Sequence, residues 1–293
     1  MKHTINFGER NINFMLYPSL NLVAHTSNLL GLSLGGRGAK RYHLRDNSAA
    51  IKSIEGSPKV RQEFFYSIMR GLILNDVEDS EKAISLIGVY SNTSAGILRR
   101  SWDCFYKTYW EQNKTRLENY FNQMIRNRDW SKTFNEMQDI TDVRFPMDFY
   151  VAAVEATAAS ATMIPPNISI GTPQPQDDCG FVHEGLHLLL DHSPEYKQVA
   201  SFMNAHKFPE EQRKTIPYRD FKGKIEQAAV ITLDSLISGR PEYLDGCRVG
   251  DLRDTVYCEL VKWYNSERKV KFTEALLDIL KVNEEKIFGG KIR

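Results

Sequence analysis

Between Ser57 and Thr141 apolar side chains return at the helical period for almost the whole span, and this pattern restricts the fold more than any other feature of the sequence. Val60, Phe64, Phe65, Ile68, Leu72 and Leu74 make one stripe, and Trp102, Phe105, Tyr109, Leu117, Phe121 and Ile125 make another. A stripe of this spacing lies on one face of a helix and has to be buried against a neighbour. Breaks fall at Asn75-Asp76, at Ser91-Asn92 and near Trp130-Ser131, which predicts three or four helices. The aromatic members of the second stripe read as a packed seam between helices rather than a ligand cage.

The flanks differ. Ile5 to Tyr17 mixes β-branched, aromatic and polar residues, as a short strand or two would, and Ser19 to Leu32 reads as a helix. Gly35-Gly36-Arg37-Gly38 lacks a following Gly-Lys-Ser/Thr, so it predicts a loop rather than an anion cradle. The character changes at Val143. Phe145 to Val154 has strand composition, Ala156 to Thr162 is a run of small residues, and Pro165-Pro166 stops any helix. Asn167 to Gly171 alternates polar and apolar residues, which predicts a short strand with one exposed face. Asp177 and Asp178 suit the positive end of a helix running from near Cys179 through Leu190. Further helices are expected over Glu195 to His206, Gly223 to Ile237, Tyr257 to Tyr264 and Phe272 to Val282. The fold class is α+β and predominantly helical, with a mainly helical region over 1–142 and a second region over 143–293.

Charge and composition exclude some functions. Thirty-eight Lys and Arg nearly balance 37 Asp and Glu, so no basic surface for a nucleic-acid partner is expected. No apolar run approaches the ~18 residues of a membrane span, so no membrane partner is expected either. Met1 to Asn11 has no apolar core of the kind a secretory signal carries, which predicts a cytoplasmic protein unless the chain is a trimmed secreted form. The four cysteines show no Cys-x-x-Cys pair, so neither a disulfide framework nor a cysteine zinc site is signalled.

The chemistry concentrates in His183-Glu184-Gly185-Leu186-His187. Two histidines four apart lie one turn apart and about 40° around a helix, so both rings can reach one ion. Glu184 lies beside the first histidine, too close for an undistorted third ligand but placed to take a proton from a water activated by the metal. Leu186, Leu188, Leu189 and Leu190 anchor the other faces. A catalytic zinc needs a third protein ligand and an open position. Cys179 lies about 12 Å along the axis from His187, and His192 is rotated about 140° from it. Asp191 fits a supporting role beside a histidine better than ligation. Glu226 stands among Ile225, Ala228, Ala229 and Val230, where a buried carboxylate needs a partner, and a metal would be one. The alternative for Glu226 is a simple helix-start charge.

These residues resemble the gluzincin branch of the zincin metallopeptidases, in which a strand precedes the His-Glu-x-x-His helix and a later helix supplies a Glu. The likeness spans about 145–240. It implies Zn2+ as cofactor, His183, His187 and Glu226 as its ligands, Glu184 as general base, and a peptide or protein substrate. It also implies that the 1–142 region forms one wall of a cleft. Ile168, Ser169 and Ile170 would then be an edge strand that pairs with an extended substrate. The segments Phe181 to His192 and Glu226 to Leu236 also look like the ImmA/IrrE-type metallopeptidases. Two departures stand out. Val230 occupies the position one turn after the Glu where many gluzincins carry an acid, leaving Asp234 two turns on, or Asp191, as the acceptor for a histidine N–H. An oxyanion-stabilising residue is not singled out among Tyr218, Tyr243, Tyr257 and His206. Two other functions stay open: a non-catalytic or regulatory protein on a zincin scaffold, and a zinc hydrolase of small amides.

Overall fold

The sheet draws on two distant stretches of chain. β1 (Lys2–Phe7) and β2 (Arg10–Met15) form an antiparallel hairpin, with Gly8 at φ +58 in the turn, where a side chain would be strained. β2 runs parallel to β3 (Phe149–Ala153), with Ile12 opposite Phe149 and Phe14 opposite Val151. Parallel neighbours need a crossover, and the helices between them supply it. β3 is parallel in turn to β5 (Ile168–Gly171), and β4 (Thr162–Ile164) pairs antiparallel with the far side of β5. The order is β1-β2-β3-β5-β4, a small mixed five-stranded sheet in a mostly helical α+β protein. This computed structural model describes residues 1–32, 42–155, 162–173, 180–208, 220–239, 251–266 and 270–289. The Gly35-Gly36-Arg37-Gly38 loop and the Asp177-Asp178 cap expected from sequence lie outside them.

One expectation is corrected here. Ile168, Ser169 and Ile170 do not form an edge, because β3 takes one backbone side of β5 and β4 takes the other. All three residues are 0% exposed. The polar–apolar alternation suggested one wet face, yet Ser169 is small enough to be buried, and Thr162–Ile164 folds back as an extra strand. The outer strands are β1 and β4.

Between the strands run α1 (Pro18–Leu29), α2 (Ser48–Ile54), α3 (Gln62–Leu74), α4 (Ser80–Tyr90), α5 (Asn92–Ser101), α6 (Lys107–Arg126) and α7 (Trp130–Thr141). The expected breaks are where chain chemistry puts them. Asp79 Oδ1 accepts from the Lys82 amide at 2.7 Å and Ser91 Oγ from the Ser94 amide at 3.2 Å, so each caps the helix that follows. α5 and α6 are joined by a π-helical turn, Trp102–Tyr106. Its extra residue rotates the helix beyond it. The buried stripe is therefore Trp102, Tyr106, Trp110, Leu117, Phe121 and Met124, while the expected Phe105, Tyr109 and Ile125 are only half-buried.

The chain divides into two compact units, Met1–Ser131 with Met147–Glu184, and Lys132–Pro146 with Gly185–Arg293. A cut at 142 would part β2 from its parallel neighbour β3. In the first unit Phe14, Trp130, Phe149 and Phe181 form an aromatic core, with ring centroids 4.6 Å apart for Phe14–Trp130 and 5.1 Å for Phe149–Phe181. It holds the start of α8 (Phe181–Asp191) on the sheet. The second unit continues through α9 (Tyr196–Asn204), α10 (Phe221–Ser238), α11 (Asp251–Asn265), α12 (Phe272–Val282) and α13 (Glu284–Phe288). No helix among the described residues is long and apolar enough to cross a membrane.

The first unit also buries a histidine. His25 is 0% exposed, its ring stacked on Tyr106 at 4.3 Å and on Phe105 at 5.4 Å, and its Nδ1 is bonded to the Tyr42 hydroxyl. Burial, with a smaller contribution from His43, lowers its pKa from the usual 6.5 to about 3. The unfolded chain therefore takes up this proton first as pH falls. The stability tied to neutral His25 is complete above about pH 6.5 and is lost as pH falls towards 3. Urea unfolding between about pH 6.5 and 4.5 is expected to show a slope share of up to about 1.4 kcal/mol per pH unit that His25→Phe abolishes. Equal slopes in the two proteins would show that His25 is not buried neutral.

Candidate metal centre

α8 carries His183, Glu184 and His187 on its one partly open face. These three are half-buried, whereas Phe181, Val182, Leu186, Leu189 and Leu190 are 0% exposed. The leucines predicted to anchor the helix do so. Gly185 has a steric reason: a Cβ there would stand 2.6 Å from Met137 Cε and 3.4 Å from Phe145 Cζ. Those neighbours come from α7 and the segment after it, where Phe134 and Phe145 stack with centroids 4.2 Å apart. A side chain at 185 would therefore require the flexible end of Met137 to swing aside.

α10 brings the second part. Its start is capped by Asp220, whose Oδ1 accepts from the Gly223 amide at 2.7 Å, and its end by Gly239 at φ +63. Ile225, Ala228, Ala229, Val230 and Leu233 are buried, and so is Glu226, at 8% exposed. The carboxylate meets the motif across 39 residues: Glu226 Oε1 lies 2.8 Å from His187 Nδ1. The other ring nitrogen, Nε2, lies 3.1 Å from Gln227 Oε1, so two consecutive residues of α10 bracket the imidazole.

The second oxygen of Glu226 is held separately. Tyr196, 2% exposed on α9, donates its hydroxyl to Glu226 Oε2 at 3.0 Å, and Lys222 Nζ lies 3.7 Å from the same oxygen. Burial pushes the Glu226 carboxyl up, but the hydrogen bond and charge of His187, the charge of Lys222 and the Tyr196 hydroxyl outweigh it and leave it below the usual carboxylate range. Glu226 is therefore ionised at neutral pH. Burial, and then the Glu226 charge, hold the Tyr196 phenol far above its ordinary pKa, so it acts as a donor.

The other expected residues are placed as follows. Asp191 is exposed and lies 3.8 Å from Lys222 Nζ, and His187 Nδ1 is bonded to Glu226 rather than to Asp191. His192 Nδ1 is turned back to the Leu188 carbonyl at 2.9 Å. Asp234 is buried and accepts from Ser238 Oγ at 2.9 Å. His206 is stacked on Phe288 at 3.8 Å, with Nε2 3.3 Å from Glu284. Tyr257 is half-buried on α11. Cys179, Tyr218 and Tyr243 lie outside the described residues. Tyr196, Lys222 and Gln227 were not anticipated. Lys222 had a signal, since it stands one turn before Glu226 on the same helix; Tyr196, 30 residues away, had none.

As a test of fit to a divalent metal, the donors are of the right chemistry: two imidazoles one turn apart, and a buried ionised carboxylate touching one of them. Among the described residues no three ligand-type side chains are gathered around one point. As arranged, Glu226 Oε1 is engaged with His187 Nδ1 and Gln227 Oε1 with Nε2, so joint ligation by His187 and Glu226 requires their hydrogen bond to break and the side chains to shift.

Comparison of the chain with family models, with curated proteins and with solved structures returned no match.

Proposed function

We propose that the chain is a zinc-dependent peptidase of zincin-like architecture. His183, His187 and Glu226 hold the metal and Glu184 is the general base. The observation that carries this reading is the meeting of His187 with Glu226. The two lie 39 residues apart, and a buried carboxylate on the histidine of a His-Glu-x-x-His helix is the partner that the motif lacks by itself. The half-buried face shared by His183, Glu184 and His187 supports it too, because a reacting peptide needs that face open.

Zinc, when bound, lowers the pKa of a water towards neutrality and polarises the scissile carbonyl. The remaining work falls to the chain. Glu184 takes one proton from the attacking water as its oxygen bonds to the carbonyl carbon, and gives it to the amine nitrogen as the C–N bond breaks. Glu226, ionised, offsets charge on the dication. The buried leucines of α8 keep the ligand-bearing face from turning.

Metal analysis of protein purified without chelator, with digestion of a mixed peptide library, tests the reading. About one zinc per chain is expected, with cleavage that stops on chelation and returns with zinc. Protein that takes up no zinc when it is supplied, or that binds zinc and cleaves nothing in the library, overturns it.

A further inference from the structure

In the first unit α3 and α4 both pack on α1, and a groove stays open between them. Its cavity is about 410 Å³, a size that holds small molecules. Phe64, Ile68 and Leu72 line it from α3, and Leu86, Ile87 and Tyr90 from α4. Leu86 is 41% and Tyr90 87% exposed, so apolar surface faces water here. Gly71, inside α3, also borders the groove, and a Cβ built on it would meet nothing within 4 Å. Glycine within a helix is destabilising relative to alanine, and no neighbour demands one at this place. What it leaves is room. Among the described residues Lys82, in the first turn of α4, is the one charged side chain of the lining. The carboxylates near it in sequence are engaged elsewhere. Asp76 is bonded to the Tyr17 hydroxyl at 2.6 Å and lies 3.1 Å from Lys2, and Glu78 lies 2.8 Å from the N-terminal ammonium. Asp79 accepts from the backbone amide of Lys82 at 2.7 Å, and Glu81 holds Arg99 and the Trp102 indole. Among the described residues no carboxylate pairs with the Lys82 ammonium. We propose that this groove binds a single acyl chain ending in a carboxylate, with the chain against α3 and α4 and the carboxylate at Lys82. An extended peptide fits less well: its backbone polar groups would find only Ser67 and Asn75 besides Lys82, and Asn75 already donates to the Gly71 carbonyl at 2.8 Å. The proposal does not depend on a metal.

The test titrates the full chain, by calorimetry below the micelle concentration, with octanoate, decanoate and laurate, and with dodecanol and dodecyltrimethylammonium as uncharged and cationic counterparts. One laurate per chain is expected, with affinity rising about 4-fold per added methylene. Gly71→Leu fills the groove and should weaken laurate by about 10-fold or more. Lys82→Met removes the charge from an exposed position; it should weaken laurate by about 2–5-fold and leave dodecanol unchanged. Thermal unfolding of the ligand-free proteins reports the fold independently, and sedimentation reports self-association. Wild-type protein that binds no laurate, or laurate that binds Gly71→Leu as tightly as the wild type, would overturn the proposal. So would dodecyltrimethylammonium binding as well as laurate, or equal laurate affinity in Lys82→Met and the wild type. A wild-type dimer that Gly71→Leu turns into monomers would place a second copy in the groove and overturn it too. Should Gly71→Leu not fold, Lys82→Met and the chain-length series decide.

Discussion

Glu184→Gln is expected to keep its zinc and lose about 10² or more of its peptide turnover. The amide has nearly the size of the carboxylate, and position 184 is half-buried on the partly open face of α8, so neither the helix nor its packing should change. What disappears is the basic oxygen. In the proposed reaction that oxygen takes a proton from water and later passes it to the leaving nitrogen, so both halves of the step suffer together. The measurement is kcat on a peptide that the wild type cleaves, beside zinc content. Zinc retained with near-complete turnover would remove Glu184 from the mechanism.

Replacing either histidine should instead empty the site. His183→Ala and His187→Ala are each expected to lower zinc affinity by more than the about 10–100-fold that the loss of a supporting partner costs, and to abolish cleavage. His187→Ala also strips Glu226 of its closest partner. The carboxylate is 8% exposed and would keep only Tyr196 and Lys222 on its other oxygen, and a buried charge that loses a partner is costly, so this variant should be the less stable of the two in the metal-free state. Thermal unfolding of both variants without metal checks the order. Equal zinc affinity in His183→Ala and the wild type would exclude His183 as a ligand.

Much of this protein was legible in its sequence because helices are local. The breaks after Leu74 and Tyr90 and the extent of Phe272–Val282 follow from residues within a turn or two. So does the common face of His183, Glu184 and His187, since a helix fixes that by its period.

Tertiary structure decided the rest. The π-helical turn at Trp102–Tyr106 moved the buried stripe from Phe105 and Tyr109 to Tyr106 and Trp110, a change that no periodicity count contains. Ile168–Gly171 became an inner strand because β4 paired with it, and pairing between strands depends on segments apart in sequence. Glu226 could be picked out as a carboxylate needing a partner, but whether that partner was His187 depended on α10 lying against α8. Tyr196 on its second oxygen depended on α9 in the same way, whereas Lys222 reaches that oxygen from one turn away on the same helix. A helix repeats its own hydrogen bonds every turn, so its neighbours in sequence specify it. A carboxylate held by side chains from two other helices is specified only by the packing that brings them together.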